Sequence, residues 1–203
     1  MKKWKKLLAG LLAMAMTLSG MSGYGDEVKA ANVSGDFKYE VSEDWDGVII
    51  TGYTGNNEEV EIPSDIDGEK VVRIGYRAFS DCSRLKGVTI SNSVTSISYG
   101  AFLGCSGLEN IKVEEGNPKY DSRDSCNAIV ERESEALVLG CKNTVIPNSV
   151  TSIRKYAFFD CSGLTGITIP THVISIEYEA FSGCSGLENI ISRGRESQIR
   201  QQG

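Results

Sequence analysis

Apolar and polar positions fall into a recurring phrase along most of the chain. The pair Ala78-Phe79 returns as Ala101-Phe102, Ala157-Phe158 and Ala180-Phe181, with Phe intervals of 23, 56 and 23 residues. Three residues after each Phe stands a cysteine (Cys82, Cys105, Cys161, Cys184), and three later a leucine (Leu85, Leu108, Leu164, Leu187). A short apolar alternation follows, as Val88 and Ile90, Ile111 and Val113, Ile167 and Ile169, reduced to Ile190 in the last copy. A second apolar pair closes the unit: Val94 and Ile97, Val150 and Ile153, Val173 and Ile176. Four matches at fixed phase exclude chance and identify an internal repeat, which must be recognised before individual elements are assigned.

The residue types predict how one unit folds. The LxxIxI stretch has strand period with Thr, Ile and Val enrichment, VTSI reads as a second short strand, and AFxxCS is long enough only for a single helical turn. A 23-residue coil cannot bury both apolar rows alone, so it must stack on the next coil. The expected fold is an α/β repeat solenoid, dominated by β-structure, with short helical turns and about six coils. The Phe column is its spine, each ring contributing roughly 1.5–3 kcal/mol on burial.

The 56-residue interval predicts one enlarged rung, spanning 117–152. Within it, Cys141 to Val150 superposes on Leu164 to Val173, so Cys141 takes a core leucine position. The AFxxC turn is replaced by a hairpin with strands at 128–131 and 136–139 and Glu133-Ser134 near its turn. Upstream, 36–74 reads as a leading hairpin, with strands near 37–41 and 48–51, followed by an atypical first coil. An end cap is expected to depart from the repeat in this way.

At these residues the chain resembles the BspA-type leucine-rich repeat family of secreted and surface proteins. The motif IxxxAFxxCxxLxxIxIPxSVTxI carries the resemblance, together with Asn117-Pro118-Lys119-Tyr120 and Cys126-Asn127-Ala128-Ile129 of the enlarged rung, over about residues 37–191. The resemblance implies a leucine-rich repeat solenoid with one strand and a few turns per coil, usually found in bacterial surface proteins proposed to act in adhesion. It implies no catalytic residues and no cofactor. Family solenoids are commonly longer or joined to other domains, whereas these coils stop at Ile190-Ile191.

Composition adds compartment and excludes partners. The 203 residues carry a net charge of -6, which argues against a nucleic-acid footprint. Lys2, Lys3, Lys5 and Lys6, the apolar run Leu7 to Leu18 and Ala30 predict a signal peptide over 1–30. Its apolar run spans about 18 Å as a helix, short of the ~30 Å hydrocarbon core, so no integral span is expected after cleavage. Residues 192–203 hold three arginines and almost no apolar content, and are expected to be a disordered tail that leaves the last coil's strand edge open to self-association.

Candidate chemistry is sparse. Six cysteines in an exported chain invite disulfides, yet four share the core phase and read as stacked free thiols. Cys126 and Cys141 flank the hairpin and are the better placed to pair. His172 replaces a turn serine of the aligned coils and reads as solvated. Asp44, Asp46 and Gly47, like Asp65, Asp67 and Gly68, suggest calcium loops, but neither continues to the required bidentate Glu, and both read as turn chemistry. Glu58, Glu59 and Glu61 read as a solvated face, and Trp45 and Tyr53 as packing over the first coil. No catalytic, cofactor or metal residues are assigned.

Between the inward strand residues lie Glu61, Thr89, Lys112, Val145, Thr168 and Ile191, of which Thr89, Lys112, Val145 and Thr168 form the candidate binding face. Its area is on the order of 250 Å², well under the ~800 Å² per partner of a standard interface, so contact by this face alone is weak or multivalent. The functional expectation is a secreted, extracellular and cell-surface-associated protein that binds a protein or cell-surface ligand in the manner of an adhesin. The alternative is a structural spacer or a truncated segment of a longer adhesin.

Overall fold

The computed structural model describes residues 31–192; the expected signal peptide over 1–30 and residues 193–203 of the expected tail lie outside the described residues. Three strands open the fold, β1 (Asn32–Ser34), β2 (Phe37–Val41) and β3 (Val48–Tyr53), joined antiparallel. The coils then supply β4 (Glu59–Glu61), β5 (Asp65–Ile66), β6 (Glu69–Ile74), β7 (Gly87–Ile90), β8 (Ser96–Ile97) and β9 (Asn110–Val113). The enlarged rung adds β10 (Tyr120–Asp121), β11 (Ala128–Glu131) and β12 (Ala136–Gly140). The last coils contribute β13 (Ser152–Ile153), β14 (Gly166–Ile169), β15 (Ser175–Ile176) and β16 (Asn189–Ser192).

Successive coils pair in parallel along two ladders, which is how each unit buries what it cannot bury alone. The LxxIxI strands stack as β4-β7-β9 and, beyond the enlarged rung, β14-β16. The VTSI strands pair β6 with β8, β12 with β13 and β13 with β15, with Ile74 opposite Ile97, Leu137 opposite Ile153 and Ile153 opposite Ile176. The fold is thus a β-solenoid of about six turns. Ser192, counted with the tail from sequence, is the last residue of β16.

The expected helical turn at AFxxC is a string of tight turns instead. Helical geometry among the described residues is confined to a 3-10 turn at Arg123–Ser125. The reason lies two residues either side of each Phe. Arg77, Gly100, Tyr156 and Glu179 before it have φ of 57°, 70°, 63° and 55°, and Asp81, Gly104, Asp160 and Gly183 after it have φ of 60°, 74°, 54° and 75°. Left-handed residues at this spacing cannot propagate a right-handed helix. They turn the peptide planes so that one coil's amides reach the next: Arg77 N–H donates to Gly100 C=O (3.2 Å), Phe79 N–H to Ala101 C=O (2.8 Å) and Asp81 N–H to Leu103 C=O (2.7 Å).

The Phe column is two stacks rather than one spine. Phe79 stacks on Tyr53 (5.2 Å between centroids) and on Phe102 (4.9 Å), while Phe158 stacks on Phe181 (4.8 Å). Between them the enlarged rung takes a shorter route. Leu164 follows Ile153 by eleven positions, but Cys141 follows Leu137 by only four, so β12 runs straight where the other coils bulge into the AFxxC turn. A Cβ on Gly140 would lie 2.2 Å from the Phe158 ring, so only glycine lets the strand pass. The core divides at this point into one cluster around Phe79 and another around Phe158.

Asn117 fastens the extra segment. It is 2% exposed; its Nδ2 donates to Ser91 C=O and Val94 C=O, both at 2.9 Å, and its Oδ1 accepts from Lys119 N–H (2.9 Å) and Tyr120 N–H (2.8 Å). Outside, Glu131 pairs with Lys119 and Arg154, both at 3.1 Å. Burial opposes ionisation of Glu131, but the hydrogen bonds from Ser134, Lys119 and Arg154 outweigh it and hold the carboxyl below its ordinary range.

Candidate binding surface

The outward column read from sequence has the expected register where strands exist. Glu61 faces Thr89, Thr89 faces Lys112, and Thr168 faces Ile191. Val145 lies on no strand; it is exposed in the turn-rich segment that replaces one rung of the ladder. The column is therefore interrupted between Lys112 and Thr168.

A second exposed column went unread. Three positions before each Phe stand Tyr76, Tyr99, Lys155 and Tyr178. The tyrosines are 62%, 53% and 67% exposed, which places a large apolar body at the surface in three coils of four. Lys155 Nζ lies 4.5 Å from the Tyr156 ring centre and 5.3 Å from that of Tyr178, so on the last two coils cation and rings form one patch, with Tyr76 and Tyr99 in the same phase on the earlier coils. The phase of the Phe column was sufficient to find it.

The cysteines have a structural task that the spacing alone does not reveal. Cys105 Sγ–H donates to Phe79 C=O at 3.0 Å, and Cys184 Sγ–H donates to Phe158 C=O at 3.0 Å, each reaching back one coil. Cys141 Sγ lies 3.1 Å from Glu109 C=O and Cys126 Sγ 3.6 Å from Ala128 C=O. All six are free thiols. Burial pushes Cys161 up to about 12 and Cys184 up to about 11, and raises Cys126 and Cys141 in the same direction. Cys105 is raised as well, first by its hydrogen bond with Cys82 and then by burial. Protonated thiols of this kind are poor nucleophiles near neutral pH.

The remaining candidates take structural positions. His172 is exposed, with Thr171 Oγ1 at 3.4 Å from its Nδ1. Asp67, at φ 54°, accepts from Tyr39 Oη–H (2.6 Å) and Ser34 Oγ–H (2.9 Å), so this acidic turn ties the leading strands to the first coil. That bond is the main reason Tyr39 is pushed up to about 12. Glu58 pairs with Lys86 at 2.8 Å, Tyr53 joins the Phe stack, and Trp45 is exposed beneath Arg73 at 5.7 Å. Among the described residues no group of three His, Cys, Asp or Glu is arranged to hold a metal ion, and no helix is long and apolar enough to cross a membrane.

Coils stacked along two parallel ladders, with tyrosines on the outside and thiols turned inward, define a repeat solenoid. The chain belongs to the BspA type leucine rich repeat region family, whose model matches in six copies over residues 53–124 and 138–202. The unmatched stretch between them contains β11 and the hairpin turn. The chain is similar to a leucine-rich repeat protein of Bacteroides ovatus, at 26% identity and a TM-score of 0.51, over 79% of this chain and 40% of that one. It is also similar to a leucine-rich repeat protein of T. pallidum (26% identity, TM-score 0.46, 79% of this chain and 70% of that one). A leucine rich cell surface protein of Faecalibacterium prausnitzii matches at 24% identity with a TM-score of 0.45, over 81% of this chain and 55% of that one. The chain thus spans less than two thirds of the Bacteroides and Faecalibacterium proteins. No curated protein sequence matches it.

Proposed function

We propose that this chain is an exported, surface-associated protein that binds a protein or cell-surface ligand, in the manner of an adhesin and without catalysis. The observation that supports this reading is the exposed column of Tyr76, Tyr99, Lys155 and Tyr178. Exposed tyrosines bring large contact area with little side-chain freedom to lose, and are enriched where proteins meet. The column Thr89, Lys112, Val145 and Thr168 is a second, smaller contact face. Export rests on residues 1–30 acting as a signal peptide.

The test is capture of extracellular matrix and host-cell surface proteins by the immobilised chain. Binding at tens of micromolar is expected, and the triple substitution Tyr76→Ser, Tyr99→Ser, Tyr178→Ser removes most of it. Absence of capture at that concentration overturns the reading in favour of a spacer. Self-association is proposed at the last coil, where Ile174 is 86% exposed and Ile190 and Ile191 of β16 are 41% and 58% exposed, on a strand paired among the described residues only with β14. Light scattering should show the molar mass rising with concentration; a constant monomer mass up to high concentration counts against it.

A further inference from the structure

The short route of β12 leaves a notch in the column of AFxxC turns. It is an open cavity of about 280 Å³, lined on one bank by Arg77, Asp81, Leu103 and Gly104 and on the other by Tyr156, Phe159, Asp160 and Glu179. That volume lies just below the ~300–1,000 Å³ of drug-sized pockets, which suits one or two residues of a peptide rather than a large ligand.

The banks are halves of an interrupted backbone ladder. Wherever two AFxxC turns are adjacent, the earlier donates from the Phe N–H and from the N–H two residues on, as Phe79 and Asp81 do to Ala101 and Leu103, and Phe158 and Asp160 do to Ala180 and Ser182. At the notch the corresponding donors, Phe102 N–H and Gly104 N–H, have no hydrogen-bond partner among the described residues. On the far bank the corresponding acceptors are Ala157 C=O, taken by Gly140 N–H at 2.8 Å, and Phe159 C=O, to which no residue donates. One bank thus lacks an acceptor and the other a donor, and a peptide group supplies both.

Charge adds the side chain. No ion pair or hydrogen bond to the carboxylates of Asp81 and Asp160 is found among the described residues, and with Glu179 they outnumber the two cations at the notch, Arg77 in its lining and Lys155 at the Tyr156 ring. The Phe159 and Tyr156 rings lie edge to face at 5.4 Å, and Tyr156 already holds one cation, Lys155, at its ring. Carboxylates beside aromatic rings favour a guanidinium or ammonium group.

We propose that the notch binds a short extended segment of a partner protein carrying an exposed Arg or Lys, whose backbone takes the place of the missing turn and whose cation is drawn by the acidic lining, with the Asp81 carboxylate over Gly104 on the near bank and that of Asp160 over Gly183 beyond the far one. This deepens the protein-binding reading and rests on it.

Fluorescence anisotropy of labelled pentapeptides on the full chain tests it. Gly-Gly-Arg-Gly-Gly is expected to bind, and the Glu and Gln counterparts to bind several-fold more weakly. Asp81→Asn with Asp160→Asn weakens the Arg peptide roughly fivefold; asparagine keeps both residues at home in the left-handed region. Glu40→Gln with Glu115→Gln, which removes the same charge elsewhere, leaves it unchanged. On the unaltered chain, an ester in place of the Arg amide removes the donor to Phe159 and costs about tenfold, which decides the matter even if the Asn variant fails to fold. Equal binding of the Glu peptide, indifference to the Asn pair, or indifference to the ester overturns the proposal. If no peptide binds but matrix capture persists, the notch is wrong and the wider reading stands; if the Arg peptide binds without any capture, the reverse holds.

Discussion

Replacing Phe158 by Ala is expected to lower stability by about 3–5 kcal/mol and to split unfolding into two steps. Phe158 is 1% exposed, its ring parallel to that of Phe181 within 7° and its edge against Gly140. Neither neighbour can fill the void: glycine has no side chain to offer, and Phe181 is held by its own coil. The loss falls wholly on the second core cluster, whereas Phe79, Phe102 and Tyr53 belong to the first and keep their contacts. In a stack where coils touch only their neighbours, damage of this kind stays local. Hydrogen exchange should show protection lost across 146–187 and retained in β6 to β9. A single transition with an unchanged denaturant slope would refute the division of the core.

Asn117→Ala should be nearly as costly, by roughly 3–5 kcal/mol, because it strands four backbone groups at once, three in buried bonds and one in a part-buried bond, at about 1–3 kcal/mol for each that finds no water. Ser91 C=O and Val94 C=O lose their donor, and Lys119 N–H and Tyr120 N–H lose their acceptor. Asn117→Asp should do no better, since a carboxylate can accept from the two amides but turns negative charge on the two carbonyls. The amides of Lys119 and Tyr120 should exchange much faster in either variant. Loss of under about 1 kcal/mol, the cost of an ordinary exposed hydrogen bond, would show that the segment is held by its hairpin alone.

What could be read from the chain follows from how each residue type signals its environment. The coils, the strand registers and the hairpin at Ala128–Glu131 and Ala136–Gly140 were legible because apolar residues recur at a phase that only stacking explains. The left-handed position after each Phe was half legible: Asp, Gly, Asp and Gly are residues that tolerate positive φ. The one before it was not, because Arg77, Tyr156 and Glu179 carry no such preference; Arg77 is held by its bond to Gly100 in the next coil, and Tyr156 and Glu179 by bonds closing their own turns. Asn117 beside Pro118 reads as an ordinary turn, and nothing local betrays that its side chain is buried against carbonyls some 25 residues away. The tyrosine column was visible at a fixed phase, but a search confined to strand faces passes over it. The notch had no signal of its own, since it arises from four residues doing the work of eleven.

The turn ladder runs one way. From Phe79 to Ala101, Asp81 to Leu103, Phe158 to Ala180 and Asp160 to Ser182, the earlier turn always gives the proton and the later one the lone pair. Strand dipoles alternate and largely cancel, whereas these peptide dipoles add along the solenoid axis. The interruption therefore has a positive wall at Phe102 and Gly104 and a negative wall at Phe159. Because successive peptide groups of an extended segment point in alternate directions, that field would fix which residue of a guest segment sits in the gap: the one whose C=O faces Phe102 and Gly104 and whose N–H faces Phe159.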